Sequence, residues 1–448
     1  MENFIKLIKA EIKNIKNVKH GIIDFKTHIT GIYGQNGSGK TALVDSANIL
    51  KVYLLGRKLD FFYDLINVEA KTCSLNFTFE AEIDEKKYKI FLEVTLKKIK
   101  KFVENEEVNG VIIEKEIIKY SEIVGEKVTS KKVLIGSTKK EVLKNSESFK
   151  KLLLDEEEKI NLMVIKKVAE NESTSFLFIE ELMKVLIKYK ENYQEIINII
   201  LALKKFGVSD LIVITNENLG IINMNNVFPL NVRTNKSFGS FLITEQNIVI
   251  DEKMCDELHR VIEQINIVLH SIIPNMSLDL FEKNKELVEK NRVNVVFQLI
   301  SIRNGKKIPF KNESEGIKKI VSILSAVIAT YHNKGICLVV DELDSGIFEY
   351  LLGELLSILD EGIKGQLIFT SHNLRVLEKL DKDSLVFTTV NEENRYLRLK
   401  NIKPSNNLRD VYIREMTMQE QNEILYEETN NGDIEFALYE AGVLDAKK

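Results

Sequence analysis

The stretch Ile29-Thr30-Gly31-Ile32-Tyr33-Gly34-Gln35-Asn36-Gly37-Ser38-Gly39-Lys40-Thr41 decides how the whole chain is read. Its first five residues form a β-type run, and Thr41 to Tyr53 carries helical periodicity, with Ala42, Leu43, Ala47, Ile49 and Leu50 available for packing. Between strand and helix, Gly34 to Thr41 fits the pattern GxxxxGK[ST] in full. Glycines let consecutive backbone N–H groups curl around phosphate oxygens, and the helix start adds partial positive charge. Lys40 is then placed to reach the β- and γ-phosphates, and the Thr41 hydroxyl to ligate Mg²⁺. Gly34, Gln35, Asn36, Gly37, Ser38, Gly39, Lys40 and Thr41 are therefore expected to line an ATP site.

Far downstream, Gly335-Ile336-Cys337-Leu338-Val339-Val340-Asp341-Glu342 reads as a buried strand ending in two adjacent carboxylates. Such a strand places Asp341 beside the phosphate loop, where it holds Mg²⁺ through water, and turns Glu342 toward an attacking water as general base. A strand that simply ends in an acidic turn looks the same in isolation. The 301 positions between Lys40 and Asp341 require a large insertion within a phosphate-loop domain, and the chain supplies one.

Two further stretches narrow the class. Asn312-Glu313-Ser314-Glu315-Gly316-Ile317-Lys318-Lys319 precedes a helix reaching about Tyr331, so Ser314 can cap it while the Ser314 and Gly316 backbone faces an anion. The strand Gln366-Leu367-Ile368-Phe369-Thr370 ends in Ser371-His372-Asn373, and Asp344 lies just beyond the acidic pair. Separately, these read as an ordinary helix cap and a strand-end histidine. Their order along the chain makes them one set.

In that order the chain resembles the heads of ABC-type ATPases, in the RecF/SMC-like and OLD-like branch of bacterial AAA-annotated ATPases. The resemblance covers about residues 1–135 and 290–400. It implies an α/β fold: an ABC-type phosphate-loop ATPase head of mixed β-sheets with flanking helices and an inserted, mainly helical arm. By this resemblance Gly34 to Thr41 are the Walker A motif, Ser314-Glu315-Gly316 the signature and Asp341-Glu342 Walker B. Asp344 would be the D-loop aspartate, and His372 the switch histidine contacting the γ-phosphate. ATP and Mg²⁺ are the implied cofactors, and a head-to-head homodimer with composite ATP sites is the implied assembly. Two departures stand out. The signature reads SEG and not LSGGQ, and no glutamine occurs between Gln35 and Gln194 to serve as the usual Q-loop ligand.

Composition sets outer bounds. The 448 residues carry 63 Lys+Arg against 67 Asp+Glu, which excludes a histone-like basic protein but leaves local basic patches open. Cys73, Cys255 and Cys337 lie far apart and form no CxxC pair, so neither a disulfide framework nor a zinc knuckle is expected. No apolar run approaches ~18 residues, the length of a membrane span, and the N-terminus lacks the pattern of a signal peptide. A cytoplasmic protein is expected.

Strand-like runs occupy Phe4 to Ile12, Gly21 to Phe25 and much of Cys73 to Ile135, which suggests a two-layer β-rich lobe. From there the expected division is 1–143 for an N-terminal ATPase lobe, 144–290 for an inserted helical arm, 291–400 for a C-terminal ATPase lobe and 401–448 for an appendage. Within the arm, Ser175 to Phe206 reads as helix stopped by Gly207, and Glu252 to Ile273 as helix closed by Pro274. Asp381-Lys382-Asp383 reads as a turn, and the 76 residues after His372 are too few for an appended Toprim nuclease. The resemblance therefore favours a dimeric ATPase switch that governs a separately encoded effector in antiphage defence. The alternatives are a RecF-like repair or chromosome-maintenance ATPase acting directly on DNA, or an ATP-binding scaffold that hydrolyses little. A transporter subunit is disfavoured by the insertion and the SEG signature. DNA contact would come from Lys6, Lys9, Lys13, Lys16 and Lys19, a run that also reads as a solvated strand face.

Overall fold

The computed structural model describes residues 3–103, 106–144, 149–215, 228–233, 238–243, 247–288, 292–400, 407–418, 423–426 and 430–445. The first part runs β1 (Phe4–Ile15), β2 (Val18–Asp24), β3 (Ile29–Tyr33) and helix α1 (Lys40–Leu54). Then come β4 (Thr72–Ile83), β5 (Lys86–Val103), β6 (Glu106–Val124), β7 (Lys127–Val128) and β8 (Lys132–Thr138). Four helices follow: α2 (Lys150–Leu154), α3 (Glu156–Glu172), α4 (Glu180–Lys188) and α5 (Lys190–Lys205). The chain continues with β9 (Leu211–Ile214), β10 (Phe228–Arg233), β11 (Phe238–Ile243), β12 (Ile248–Asp251) and helix α6 (Cys255–Ile272). Strands β13 (Met276–Val288), β14 (Arg292–Arg303) and β15 (Lys306–Pro309) lead to α7 (Glu315–His332), β16 (Cys337–Val340) and α8 (Glu349–Gly362). Last come β17 (Gln366–Ser371), α9 (Leu374–Leu377), β18 (Leu385–Thr388), β19 (Tyr396–Leu397), α10 (Leu408–Met418) and α11 (Asn431–Asp445).

Six of these strands form the central sheet, in the order β19-β18-β3-β17-β16-β9. It is parallel from β18 to β9, with β19 antiparallel at the edge. Strands β3, β16, β17 and β18 are buried along their whole length, as parallel strands covered on both faces must be. Alternate side chains serve two cores. Ile32, Cys337, Val339, Ile368 and Val386 join the core shared with α1 and the N-terminal sheet. Tyr33, Leu338, Val340, Phe369 and Phe387 join a second core built with α6, α7 and α8.

The N-terminal sheet is antiparallel, in the order β2-β1-β4-β5-β6-β7, with β8 also on β6. One face meets solvent, so its strands alternate: Ile5, Leu7, Ala10 and Ile12 are buried on β1 while Lys9, Glu11 and Lys13 are not. A register shift between Leu7 and Lys9 marks a bulge, which restores the inward pattern after three residues instead of two. The same bend brings Leu7 to the central sheet, where the Gln366 side chain accepts from its N–H at 2.9 Å and donates to its C=O at 2.8 Å. That amide ties the two sheets together. The second layer of this lobe is made of helices rather than another sheet.

In the first half of the segment 144–290 the described residues are mainly helical, and those helices pack on the N-terminal sheet. Helices α2 to α5 lie in the same core as β1, β4, β5 and β6, with Phe149 stacked on Tyr193 and Phe206 edge-on to Phe79. One face of each packs inward, with Leu162, Ile165, Leu182, Leu186, Ile197 and Ile200 buried, while Ile160, Val164, Ile187 and Leu201 remain exposed. Leu211-Ile212-Val213-Ile214 then enters the central sheet as its edge strand. A continuous apolar run of four is the signature of a strand buried on both faces, and it was masked by the helices around it. The expected boundary at 290 falls inside the β13–β14 hairpin, which pairs Val288 with Arg292. Gly207 does not end a helix cleanly; it sits in a π-turn at Phe206–Asp210, where a Cβ would come within 2.6 Å of Leu54 Cβ.

Nor is the C-terminal stretch wholly an appendage. Leu408, Val411 and Tyr412 of α10 belong to the second core, and Tyr412 stacks on Phe387 at 4.9 Å between ring centroids. Helix α11 is different: Ile434, Phe436, Leu438 and Tyr439 are all exposed.

Glu116 joins the pieces of the first lobe. Fully buried on β6, it accepts from Tyr53 Oη at 2.9 Å, Ser175 Oγ at 2.7 Å and the Phe176 N–H at 3.0 Å. Burial pushes its carboxyl above the ordinary value, against these bonds. Replacing Glu116 with Ala strands three buried donors, so Glu116→Ala should lose about 3 kcal/mol in urea unfolding at unchanged slope, with Glu116→Gln losing less. Equal stability of Glu116→Ala and the parent would count against this role.

Candidate nucleotide site

The carboxyl ends of β3, β17 and β16 lie side by side, because β17 pairs in parallel with both neighbours. Loops after these ends are where open parallel sheets bind ligands. Here they carry Gly34 to Lys40, Ser371-His372 and Asp341-Glu342 respectively. The sequence separates these groups by up to 338 positions; one sheet edge brings them together.

The loop after β3 is shaped by its glycines. Gly37 and Gly39 have φ of +75° and +91°, in the left-handed region. A Cβ on Gly34 would fall on Thr388 Oγ1. Thr388, at the end of β18, also hydrogen-bonds Ser38 Oγ at 2.5 Å, and Ser38 Oγ bonds the Gln35 carbonyl at 2.6 Å. Below the loop, Tyr396 Oη donates to the Gly39 carbonyl at 2.7 Å, and the Asn17 side chain donates to the Gly37 carbonyl. Buried Arg395 donates to the carbonyls of Thr389 at 2.6 Å and Asn17 at 2.7 Å. Thr388, Arg395 and Tyr396 thus brace the loop from a strand pair that carries no motif, and only Asn17 among the bracing residues lies near it in sequence.

Lys40 turns into its own loop, donating to the carbonyls of Gly34 at 2.8 Å and Gln35 at 2.9 Å. Burial lowers its amine to about 8, opposed by the charges of Asp341, Glu342 and Asp344. Thr41 follows at the start of α1, partly exposed.

The acidic pair is held by one hydroxyl. Thr370 Oγ1 donates to Asp341 Oδ1 and accepts from the Glu342 N–H, both at 2.6 Å. Asp341 is fully buried and its Oδ2 has no hydrogen-bond partner, which suits a hard-cation ligand or a water bound to one. Among the described residues no group of three His, Cys, Asp or Glu is arranged to hold a metal alone, so such an ion would share its shell with phosphate and water. Glu342 has φ of +45°, uncommon for a residue with a Cβ and typical of constrained sites. Asp344 Oδ2 accepts from the His372 N–H at 3.0 Å, linking the turn after β16 to the turn after β17. Desolvation first, then the nearby Lys40 charge, hold the His372 imidazole below its ordinary value.

Ser314 sits at the N-cap of α7 with extended backbone, but its side chain does not cap the helix. Ser314 is exposed. Gly316 and Gly346 touch: a Cβ on Gly346 would lie 3.2 Å from Gly316 Cα, and one on Gly316 would overlap the Gly346 carbonyl. The turn containing Asp344 is therefore packed directly against the first turn of α7. Buried Lys319, four residues from the exposed face, donates to the Glu342 carbonyl. Nothing in a helical basic pair distinguishes Lys319 in sequence from a solvated lysine.

A groove of about 1020 Å³, lined among others by Lys16, Asn17, Lys19, Asn67, Val68 and Glu392, connects to the loop through Asn17, which bonds the Gly37 carbonyl. Of the basic N-terminal run, Lys9 pairs with Asp24 at 3.6 Å, Lys13 with Glu11 at 3.0 Å, Lys16 with Asp45 at 2.5 Å, and Lys19 with Glu392 at 3.1 Å. These lysines are largely answered by the chain's own carboxylates.

The parallel sheet and the groups gathered at this edge define an α/β phosphate-loop ATPase. The sequence profile of the family described as an AAA domain matches residues 9–271, and the chain belongs to that family. No curated protein matches the sequence. Among solved structures, the SMC head bound to the C-terminal winged-helix domain of ScpA is 12% identical, with 88% of this chain and 99% of that one covered at a TM-score of 0.45. The SMC head domain from Thermotoga maritima is 14% identical, covering 88% and 100% at 0.37. The recombination mediator protein RecF is 13% identical, covering 88% and 98% at 0.38. No helix among the described residues is long and apolar enough to cross a membrane.

Because burial lowers the Lys40 amine to about 8, the loop should lose its ammonium as pH rises through that value. Phosphate needs the charged form, so ATP affinity should fall between pH 7 and 9, by up to about tenfold per unit beyond pH 8. Calorimetric titration across that range measures it. Lys40→Arg, charged throughout, should flatten the slope.

Proposed function

We propose that the chain is a Mg²⁺-dependent ATPase whose two copies close on ATP, and that closure is its output. The observation that carries this reading is the convergence at one sheet edge of the phosphate loop, the Thr370-bridged Asp341-Glu342 pair and the Asp344–His372 bond. In this reading the loop amides and Lys40 hold the β- and γ-phosphates. The nucleoside lies in the groove beside Asn17, where Val68 is 91% exposed and offers an apolar surface. Thr41 and, through water, Asp341 would hold Mg²⁺, which when bound neutralises charge on the β- and γ-oxygens. Glu342 takes the proton of the water that attacks the γ-phosphorus, ADP leaves with the β–γ bridging oxygen, and His372 faces the γ-phosphoryl group.

Support for a homodimer comes from the first turn of α7. Its helix-start amides and the uncapped Ser314 hydroxyl lie on an exposed face, together with Phe348, which is 72% exposed just after the Asp344 turn. An anion from a second copy would meet both the amides and the positive end of the helix dipole. We further read the ATPase as governing a separately encoded effector in antiphage defence. Its support is α11, a helix apolar on several sides yet exposed, as a helix that waits for a partner would be.

Glu342→Gln should keep ATP affinity within about twofold while lowering turnover about 10²–10⁴-fold, and Lys40→Ala should weaken binding itself. Wild-type turnover in Glu342→Gln would remove the general-base assignment. Sedimentation of Glu342→Gln with ATP should show a dimer, and Ser314→Arg should block turnover at unchanged monomer binding. A monomer at micromolar concentration would sink the composite site. Phage challenge of cells carrying the gene with and without its genomic neighbour tests the effector: full protection by the gene alone, with no host partner, overturns it. Turnover stimulated by DNA would favour direct action on DNA.

A further inference from the structure

Lys319 is a lysine that the fold has buried beside three carboxylates. It lies on α7, its side chain enclosed, with Asp344, Glu342 and Asp341 as the charges that favour its protonated form. A buried ammonium is retained only where charge and hydrogen bonds answer it. Its hydrogen-bond partner is a backbone oxygen, the carbonyl of Glu342.

That choice of partner bears on geometry. Glu342 holds φ at +45°, a conformation that a residue with a Cβ leaves unless its surroundings hold it. Each of its peptide groups has a partner from outside the turn, and its C=O also accepts from the Ser345 N–H within the turn at 2.9 Å. Thr370 Oγ1 receives the N–H at 2.6 Å, and Lys319 Nζ holds the C=O. With both neighbouring peptide planes fixed, the direction of the Cα–Cβ bond is fixed, and with it the arc over which the carboxylate can swing. The second clamp is mounted on the helix that begins at Ser314 and touches Gly346 through Gly316.

We propose that Lys319 is a positioning residue for ATP hydrolysis: it orients Glu342 toward the attacking water and makes that orientation depend on where α7 sits. This rests on the reading of Glu342 as the general base. A ligand that shifts the start of α7 moves Lys319 with it, because one rigid helical turn separates Lys319 from Ser314 and Gly316. Signature contact and base alignment are thereby mechanically one event within a single chain.

The test compares Lys319→Met, Lys319→Arg and Lys319→Gln with Glu342→Gln, reading ATP affinity, KM, kcat and melting temperature. Lys319→Met should lower kcat about 10–100-fold with KM and ATP affinity within about twofold, and Lys319→Arg should recover a large part of the loss. In a Glu342→Gln background, Lys319→Met should cost nothing further, since it acts through the absent base. Unchanged kcat in Lys319→Met beside an inactive Glu342→Gln overturns the positioning role and leaves the general-base reading intact. Full turnover in Glu342→Gln overturns the general-base reading itself. A parallel fall of melting temperature, ATP affinity and kcat, without recovery in Lys319→Arg, marks Lys319 as a packing residue and also overturns the proposal. If Lys319→Met does not fold, the milder pair decides: kcat in the order Lys, Arg, Gln at constant KM supports the role, and equal values refute it.

Discussion

Everything at the site depends on one pairing constraint: β17 lies between β3 and β16, parallel to both. Parallel pairing aligns the carboxyl ends of all three strands, so each following loop opens on the same edge. The register Val340 with Phe369 sets Asp341 level with Thr370, and a single hydroxyl can then bond the carboxylate of one residue and the amide of the next. An antiparallel β17 would carry Thr370 and His372 to the opposite end of the sheet from the other two loops, and a one-residue slip would turn Thr370 to the other face.

Burial enforces that register. Both faces of the sheet are covered, so every apolar side chain of β16 and β17 has an assigned core, and a slip by one residue would exchange their contents. The cost of this enclosure falls on the charged groups at the edge. Lys40 and Lys319 are both pushed down to about 8 by desolvation, and the three carboxylates beside them oppose that shift. Two lysines and three acids form a nearly balanced cluster, with Asp341 Oδ2 and Asp344 Oδ1 buried and without hydrogen-bond partners. A phosphate and its cation entering there would meet charges already arranged, with little reorganisation.

Helix α7 ties this cluster to the surface. Its first turn is exposed at Ser314, packs on the Asp344 turn through Gly316 and Gly346, and returns to the cluster through Lys319. The glycine-rich loop after β3 is braced separately, by Thr388, Arg395 and Tyr396 from the far edge strands. The two halves of the site therefore rest on different parts of the sheet and meet only at its edge. Among the described residues of the insertion, α2 to α5 finish the core of the N-terminal lobe, α6 joins the second core, and the run Leu211–Ile214 closes the sheet.

The sequence by itself determined what is local. Gly34 to Thr41 must form a phosphate loop because glycine, lysine and threonine at that spacing, between a strand and a helix, have one conformation in common. The acidic strand end, the start of α7 and the strand before His372 were equally legible, since each is a short run whose pattern and flanks agree. Tertiary structure alone decided what is distant. A run such as Leu211 to Ile214 becomes a strand only because β16 offers it an edge, and the helices before it lie flat only because the N-terminal sheet offers an apolar face. Thr370, Lys319, Thr388 and Tyr396 carry no pattern that separates them from other residues of their kind. Their roles arise from partners up to hundreds of positions away, and a hydrogen bond between such partners is written in the fold, not in the spacing of the chain.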